Sequence, residues 1–473
     1  MKKMRNNTKH RIDGHKRHVS LSPARSEGAA GCKNTPRGRT ATNKHAGKSP
    51  SAKQVSRSSR LAKHADGPCP LMHQCGGCEW LNLPYRKQLA RKHAAMDELF
   101  ADIIKPEPII PHFFPHEAIC PSVSHAENPG SKLPSPRAFR YKAATPFAPG
   151  PHGEVVNGFY ARGTHDIIEV PACCVEAPGA RDILNGVARI ATKLGIPAYN
   201  EDTREGLLRY AVLRLGWKSN EGILTIVTVK RDFPQMEQFT QELARLDPRI
   251  TTVAQNINPR TGNALLGGST YKLFGTDRMT DELLSCEFEI SPTAFYQTNP
   301  AQTEKLYQVA IDGMGLKEGD VLLDTYCGSG TIGLCAISQA QKRGIDASLI
   351  GVERNPAGIA DARCNAELNN LQAASTFICE DATEYMRKAA ENGLKIDVLS
   401  MDPPRAGSTP EFIQAAAALK PRTIIYISCN PITQARDLLH FQEQGYRVTK
   451  LTPVDMFPHT THVETVAILT QAQ

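Results

Sequence analysis

Residues 321–333, VLLDTYCGSGTIG, constrain what this chain can fold into more than any other segment. An apolar run ends in Asp324, turns through Tyr326, Cys327, Gly328, Ser329 and Gly330, and resumes as an apolar helical pattern. Glycines at 328 and 330 permit a tight turn and bring the backbone close to anything bound at the helix start. A strand, a glycine turn and a helix in that order form one unit of a doubly wound sheet, in which ligands sit at the strand C-termini. The turn contains no Gly-Lys-Ser/Thr and is therefore not a phosphate-cradling loop.

The same alternation runs on to the C-terminus. Segments 321–324, 349–353, 376–379, 398–402 and 423–428 read as buried strands, and 355–371 and 410–419 as helices. The expected class is α/β, with a doubly wound, Rossmann-like domain over 291–473. Upstream, 99–290 reads as a β-rich α+β domain, with short strands at 137–145, 155–160, 167–170, 208–215, 223–229, 251–257 and 269–274 separated by turn residues. A small cysteine-rich unit spans 67–98 and includes a helix that starts at Leu83-Pro84. Residues 111–136 are proline-rich and read as a flexible insertion.

Composition sharpens this picture at the N-terminus. The net charge of +8 is unevenly spread: residues 1–66 carry 17 Lys+Arg against three acids, and the remainder holds 39 basic and 45 acidic side chains. With almost no large apolar residues, the 1–66 tail cannot offset its ordering entropy and is expected to be disordered. It serves either as an electrostatic arm for RNA or as a plain solvated tail; Arg, Ser and few acids also describe a mitochondrial transit peptide. No apolar run approaches ~20 residues, and no secretory signal is visible, so neither membrane insertion nor export is expected. Thirteen cysteines without an export signal point to a reducing, cytoplasmic compartment. Most of them, such as Cys286, Cys335 and Cys364, read as packing residues.

Glu353 ends the strand after the glycine turn, where an acidic residue commonly grips ribose hydroxyls. Turn and acid together fit an adenosine-bearing ligand without pyrophosphate, such as S-adenosylmethionine. Asp402-Pro403-Pro404 at the end of the fourth strand resembles the motif of exocyclic-amine methylases, but Arg405 stands where those enzymes place a base-stacking aromatic. That substitution argues against amine methylation. Cys429 ends the fifth strand, and Glu464 closes DMFPHTTHVE. A thiolate can add to C6 of a pyrimidine and make C5 nucleophilic; a carboxylate can then remove the C5 proton. Separately, Cys69, Cys75 and Cys78 form C-x5-C-x2-C, and Cys173 or Cys174 is the nearest fourth sulfur. Such a set suits either zinc or an iron–sulfur cluster.

The segments Phe295-Tyr296-Gln297-Thr298-Asn299, the glycine turn, Asp402-Pro403-Pro404-Arg405, Ser428-Cys429-Asn430-Pro431 and His462-Val463-Glu464 resemble the RNA 5-methyluridine methyltransferases. Within that family, C-x5-C-Gly-Gly-C is similar to the iron–sulfur branch that methylates 23S ribosomal RNA. The resemblance covers roughly 67–470. It implies Cys429 as nucleophile and Glu464 as proton acceptor, with Gln297, Tyr326, Glu353, Asp381 and Asp402 contacting S-adenosylmethionine. It also implies a [4Fe–4S] cluster on Cys69, Cys75, Cys78 and Cys173, which orders the RNA-binding surface, with zinc the alternative metal. In the resembling pattern Cys173 is in register and Cys174 replaces a proline. The expectation is a monomeric enzyme acting on a uridine of 23S rRNA; the alternatives are the same chemistry on tRNA, or a non-catalytic RNA-binding or ribosome-assembly factor with this fold. Arg140, Lys142, Arg209 and Arg214 are candidate phosphate contacts.

Overall fold

The computed structural model describes residues 69–114, 133–262 and 264–472. The basic tail, and residues 115–132 of the expected insertion, lie outside the described residues. The first element is helix α1 (Tyr85–Leu99), which Pro84 precedes as its N-cap, where the Leu83-Pro84 signal placed it.

The central sheet contains β1 (Lys142–Pro149), β2 (Val155–Tyr160), β3 (Ile167–Glu169), β4 (Leu208–Leu215), β5 (Gly222–Thr228), β6 (Ile250–Ile257) and β7 (Ser269–Gly275). Its order is β3-β2-β1-β4-β5-β6-β7, antiparallel throughout except for the β5–β6 pair. Helices α2 (Ala180–Lys193) and α3 (Met236–Ala244) pack on it. Leu184, Val187, Phe239 and Leu243 join Leu213, Leu224 and Val253 in one buried cluster. Each such side chain contributes about 1.5–3 kcal/mol when it leaves water.

Hairpin β8 (Met279–Leu283) and β9 (Cys286–Ile290) falls inside the expected 99–290 domain, yet it packs elsewhere. Met279, Leu283, Phe288 and Ile290 share a core with Leu306, Leu322 and Ile425 of the C-terminal lobe. The division at 290 therefore moves upstream, because the apolar face of this hairpin needs the second sheet to cover it.

The second sheet is built from β10 (Val321–Thr325), β11 (Ser348–Glu353), β12 (Ser375–Cys379), β13 (Val398–Met401), β14 (Thr423–Ser428), β15 (Tyr446–Val454) and β16 (Glu464–Gln471). Its order is β12-β11-β10-β13-β14-β16-β15, so the chain reverses direction across the sheet between β10 and β13. The first five strands are parallel, and β16 runs antiparallel to both β14 and β15. This α/β domain is completed by α4 (Pro300–Met314), α5 (Thr331–Lys342), α6 (Pro356–Leu368), α7 (Ala382–Glu391), α8 (Pro410–Ala418) and α9 (Pro431–Glu443). Four of these helices share one start signal. Asn299, Asn355, Thr409 and Asn430 each cap a helix by accepting a backbone N–H, and proline follows in the first turn.

Among the described residues, no helix is long and apolar enough to cross a membrane.

Candidate active site and cysteine pocket

The reversal between β10 and β13 is where an open parallel sheet leaves a crevice for a ligand. Tyr326, Gly328 and Gly330 there all have positive φ, at 59°, 55° and 79°. Gly333 completes a Gly-x-Gly-x-x-Gly spacing, and it serves packing: a Cβ there would meet Leu349 Cδ1 at 2.6 Å and Asp324 Oδ2 at 3.1 Å. Asp324 Oδ2 in turn accepts the Gly333 N–H at 3.2 Å, which fixes the turn to the strand it leaves.

Gly328, Ser329 and Glu353 share one cavity of about 250 Å³ with Asn355 and Asp361. Glu353 Oε1 accepts the Asn355 N–H at 2.7 Å. Gln297, Tyr326, Asp381 and Asp402 do not line that cavity. Gln297 is buried in a segment tied to the central sheet, where Arg214 donates to the carbonyls of Ala294 (2.7 Å) and Tyr296 (3.2 Å) and Tyr141 N–H to Thr298 O (2.8 Å). Tyr326 stacks on Phe412 with ring centroids 5.3 Å apart. Burial and then the Asp381 carboxylate push its phenol up to about 12. Asp381 caps α7, accepting from Thr383 N at 3.0 Å and Glu384 N at 3.3 Å.

Cys429 and Glu464 meet because of the strand register. Ser428 of β14 pairs with Thr465 of β16 in antiparallel register, and Cys429 and Glu464 each lie one residue further toward the same end. Arg405 joins them from the loop after β13. Its carbonyl accepts from Asn430 Nδ2 at 2.9 Å and Thr433 Oγ1 at 3.3 Å, which pins it to the start of α9. Arg405 and Cys429 line an open cleft of about 790 Å³ with Ile432, His462 and Val463.

The electrostatics of this group are dominated by burial. Glu464 is 3 % exposed, and desolvation, followed by the Asp402 charge, raises its carboxyl to about 8, against the pull of Arg405. Asp402 rises to about 7 by burial and then by repulsion from Asp324, and burial brings Asp324 to about 7 as well. Burial, then Glu464 and Asp402, raise the Cys429 thiol, while the Arg405 charge and a hydrogen bond from it act in the other direction. Arg405 is thus the cation that favours a thiolate at 429 and a carboxylate at 464. In the sequence this arginine stands out as a missing aromatic and as the end of Asp402-Pro403-Pro404-Arg405; its positive charge was the available signal.

Two of the expected RNA contacts are corrected. Arg214 is buried and spent on the two carbonyls above, and Arg209 is buried and donates to Asn258 O (3.0 Å) and Arg260 O (2.6 Å). Both guanidiniums hold loops of the protein and are not free to meet phosphates. Lys142 is half-buried, and burial and then Arg214 lower its ammonium to about 8.

Cys69, Cys75, Cys78, Cys173 and Cys174 are all unbonded thiols lining one small pocket. Among the described residues, no group of three or more His, Cys, Asp or Glu is spaced to hold a metal ion. Cysteine is a ligand type that zinc and iron–sulfur clusters share, and five of these side chains line the one pocket. Burial, then Cys174, Cys75 and Cys69, push Cys78 up to about 12. Cys173 also rises to about 12, by burial and then by Glu176. Cys173 and Cys174 both line the pocket with the C-x5-C-x2-C cysteines.

Fold and site define a methyltransferase of the doubly wound class. A family model described as tRNA (uracil-5-)-methyltransferase matches residues 280–472. An uncharacterized RNA methyltransferase of Staphylococcus aureus is 37% identical over 401 residues, covering 85% of this chain and 83% of its own. One from Bacillus cereus is 34% identical over 408 residues, covering 86% and 84%. The crystal structure of the Pyrococcus abyssi tRNA (uracil-54, C5)-methyltransferase with S-adenosyl-L-homocysteine is similar at a TM-score of 0.64 and 26% identity, covering 83% of this chain and 86% of that one. The chain belongs to the RNA 5-methyluridine methyltransferase family, whose members use S-adenosylmethionine.

Proposed function

We propose that this protein methylates C5 of a uridine in 23S ribosomal RNA through a covalent bond between Cys429 and C6 of the base. The observation that carries the reading is the convergence of Cys429, Arg405 and Glu464 at one end of the β14–β16 pair. Bound S-adenosylmethionine supplies an electrophilic methyl group on sulfur. Cys429, as thiolate beside Arg405, adds to C6, and the electron pair moves to C5, where it takes up the methyl group. Glu464 removes the C5 proton. The released pair re-forms the C5–C6 double bond and expels the Cys429 sulfur, so the enzyme is regenerated. Attack on the ring face needs the uridine turned out of its stack, and the open cleft in front of Cys429 leaves room for it. Glu353 and the glycine turn would hold the nucleoside half of the cofactor, and Gln297, Tyr326, Asp381 and Asp402, outside that cavity, would contact the rest of it.

Cys69, Cys75, Cys78 and one of the adjacent pair Cys173–Cys174 hold a [4Fe–4S] cluster in this reading. Methyl transfer needs no electron from it, so its part is to order the surface that meets RNA. The cysteine spacing is what favours ribosomal RNA; the similarity to a tRNA-modifying structure supports the second reading, the same chemistry on tRNA. Mass spectrometry of nucleosides from separated rRNA and tRNA of a deletion strain tests the choice. Loss of 5-methyluridine from 23S rRNA is expected, and loss confined to tRNA overturns the ribosomal assignment.

A further inference from the structure

Nine residues without regular structure, 455–463, connect β15 to β16 and deliver Glu464 to the site. A base on the end of such a loop is only as well placed as the loop. Asp455 and His459 within it are fully buried, although both are polar.

What holds them is α1. Its buried residues Tyr85, Gln88, Lys92 and Met96 lie three to four positions apart and share one face, and three of the four are polar. A face that only filled a core would be apolar. Lys92 Nζ is fully buried and donates to Asp455 Oδ1 at 2.7 Å, Phe457 O at 3.0 Å and His462 O at 2.8 Å. The three bonds span the loop from its first residue to the residue two before Glu464. Tyr85 OH donates to the other Asp455 oxygen at 2.8 Å and accepts from His112 N–H at 2.7 Å.

Gln88 grips the middle of the loop. Its Oε1 accepts the His459 N–H at 2.9 Å, and its Nε2 lies 3.1 Å from His459 Nδ1. His459 Nε2 is 2.8 Å from the Pro136 carbonyl, which can only accept, so Nε2 carries the proton. His459 has φ of +67°, a conformation a non-glycine residue keeps only where its surroundings impose it. Its carbonyl accepts two N–H groups, from Glu79 and Trp80, both at 2.9 Å. Those residues directly follow Cys78, and the cysteine loop is itself docked on the β2–β3 hairpin through Gly76 N–H to Tyr160 O (3.2 Å) and Arg162 N–H to Gln74 O (3.0 Å).

We infer that Lys92, assisted by Gln88, is a positioning residue for proton removal: α1 clamps the 455–463 loop so that Glu464 stands opposite Cys429. The inference rests on the proposed role of Glu464 as the C5 base. A loosened loop misplaces the carboxylate and leaves Cys429 and Arg405, which lie on other segments, where they are. Thiol addition and methyl transfer then proceed, and the enzyme stalls as the methylated adduct that has not lost its C5 proton.

The test uses the full chain with its cofactor and total RNA from a strain lacking the enzyme. It follows adduct stable to denaturant, and released 5-methyluridine, over a single turnover. In Lys92→Met, release is expected to slow about tenfold to a hundredfold, with adduct accumulating on unmodified RNA and KM for RNA unchanged. Lys92→Arg should restore release. Because Lys92→Met leaves the buried Asp455 carboxylate without its cation, Lys92→Met/Asp455→Leu is measured beside it, and the same stalled adduct is expected. Parallel slowing of adduct formation and release in both variants, or no effect in either, overturns the inference. Glu464→Gln separates the two claims. If it traps adduct and the Lys92 variants do not, the positioning role alone fails; if it traps none, the assignment of Glu464 as base fails, and the inference with it.

Discussion

Ser428 and Thr465 are paired across two antiparallel strands, and that pairing sets Cys429 and Glu464 opposite one another although 35 positions separate them in sequence. A parallel β16 would have carried Glu464 to the far end of the sheet. Insertion of one antiparallel strand between β14 and β15 is what allows a nucleophile and a base to share the cleft.

Burial of Glu464 should be visible in stability. Its carboxyl is raised from 4.5 to about 8, so between these values the folded protein keeps a proton that the unfolded chain has released. Stability therefore falls as pH rises through this window, and keeping the carboxylate ionised above it costs roughly 3–5 kcal/mol. Glu464→Gln removes that cost. Its melting temperature should exceed that of the wild type by a margin that opens between pH 5 and pH 8 and then stays constant. A margin independent of pH would mean that Glu464 is not buried in this way.

Arg405 should control the ionisation of Cys429. Without it the thiol loses a cation and a hydrogen bond, and its pKa climbs further above the ordinary value. Arg405→Ala is expected to slow adduct formation about tenfold to a hundredfold at neutral pH, with partial recovery as pH rises. Iodoacetamide labelling of Cys429 as a function of pH, in both proteins, reads the shift directly.

The fold was largely legible in the chain. The glycine turn, Glu353 and the five parallel strands follow from apolar runs broken by Gly and Pro, because short-range pattern dictates them. The antiparallel β15–β16 pair was not, since its meaning lies in its neighbours and not in its own residues. Arg209 and Arg214 show the same limit: arginine on a β-rich surface reads as a phosphate contact until the carbonyls that it satisfies are seen. Lys92 was one basic residue among several in a helix with a mixed surface, and only its buried partner Asp455, 363 residues away, gives it a role.

The cofactor cavity predicts a separable defect. Glu353→Ala removes the carboxylate that shares the pocket with Gly328, and it should weaken S-adenosylmethionine binding about tenfold, or ~1.4 kcal/mol, without a comparable loss of thermal stability. Calorimetric titration with S-adenosylhomocysteine checks it.

Serine replacements at Cys69, Cys75 or Cys78 should abolish the broad visible absorbance expected of anaerobically purified protein. The double replacement Cys173→Ser/Cys174→Ser should do the same. Between the single variants, the larger loss of iron identifies which of Cys173 and Cys174, both lining the pocket, is the fourth ligand. A colourless wild-type protein with one equivalent of zinc would replace the iron–sulfur assignment.

The central claim is a covalent bond from Cys429 to the uracil ring. RNA carrying 5-fluorouridine, which has no C5 proton to lose, should halt the reaction after methyl transfer and leave protein and RNA joined through denaturing electrophoresis. The account predicts a shifted band for the wild type, with Cys429 as the RNA-linked residue in the digested complex, and no band for Cys429→Ala. Equal bands from the two proteins, or none from a wild type that methylates ordinary RNA, would contradict it.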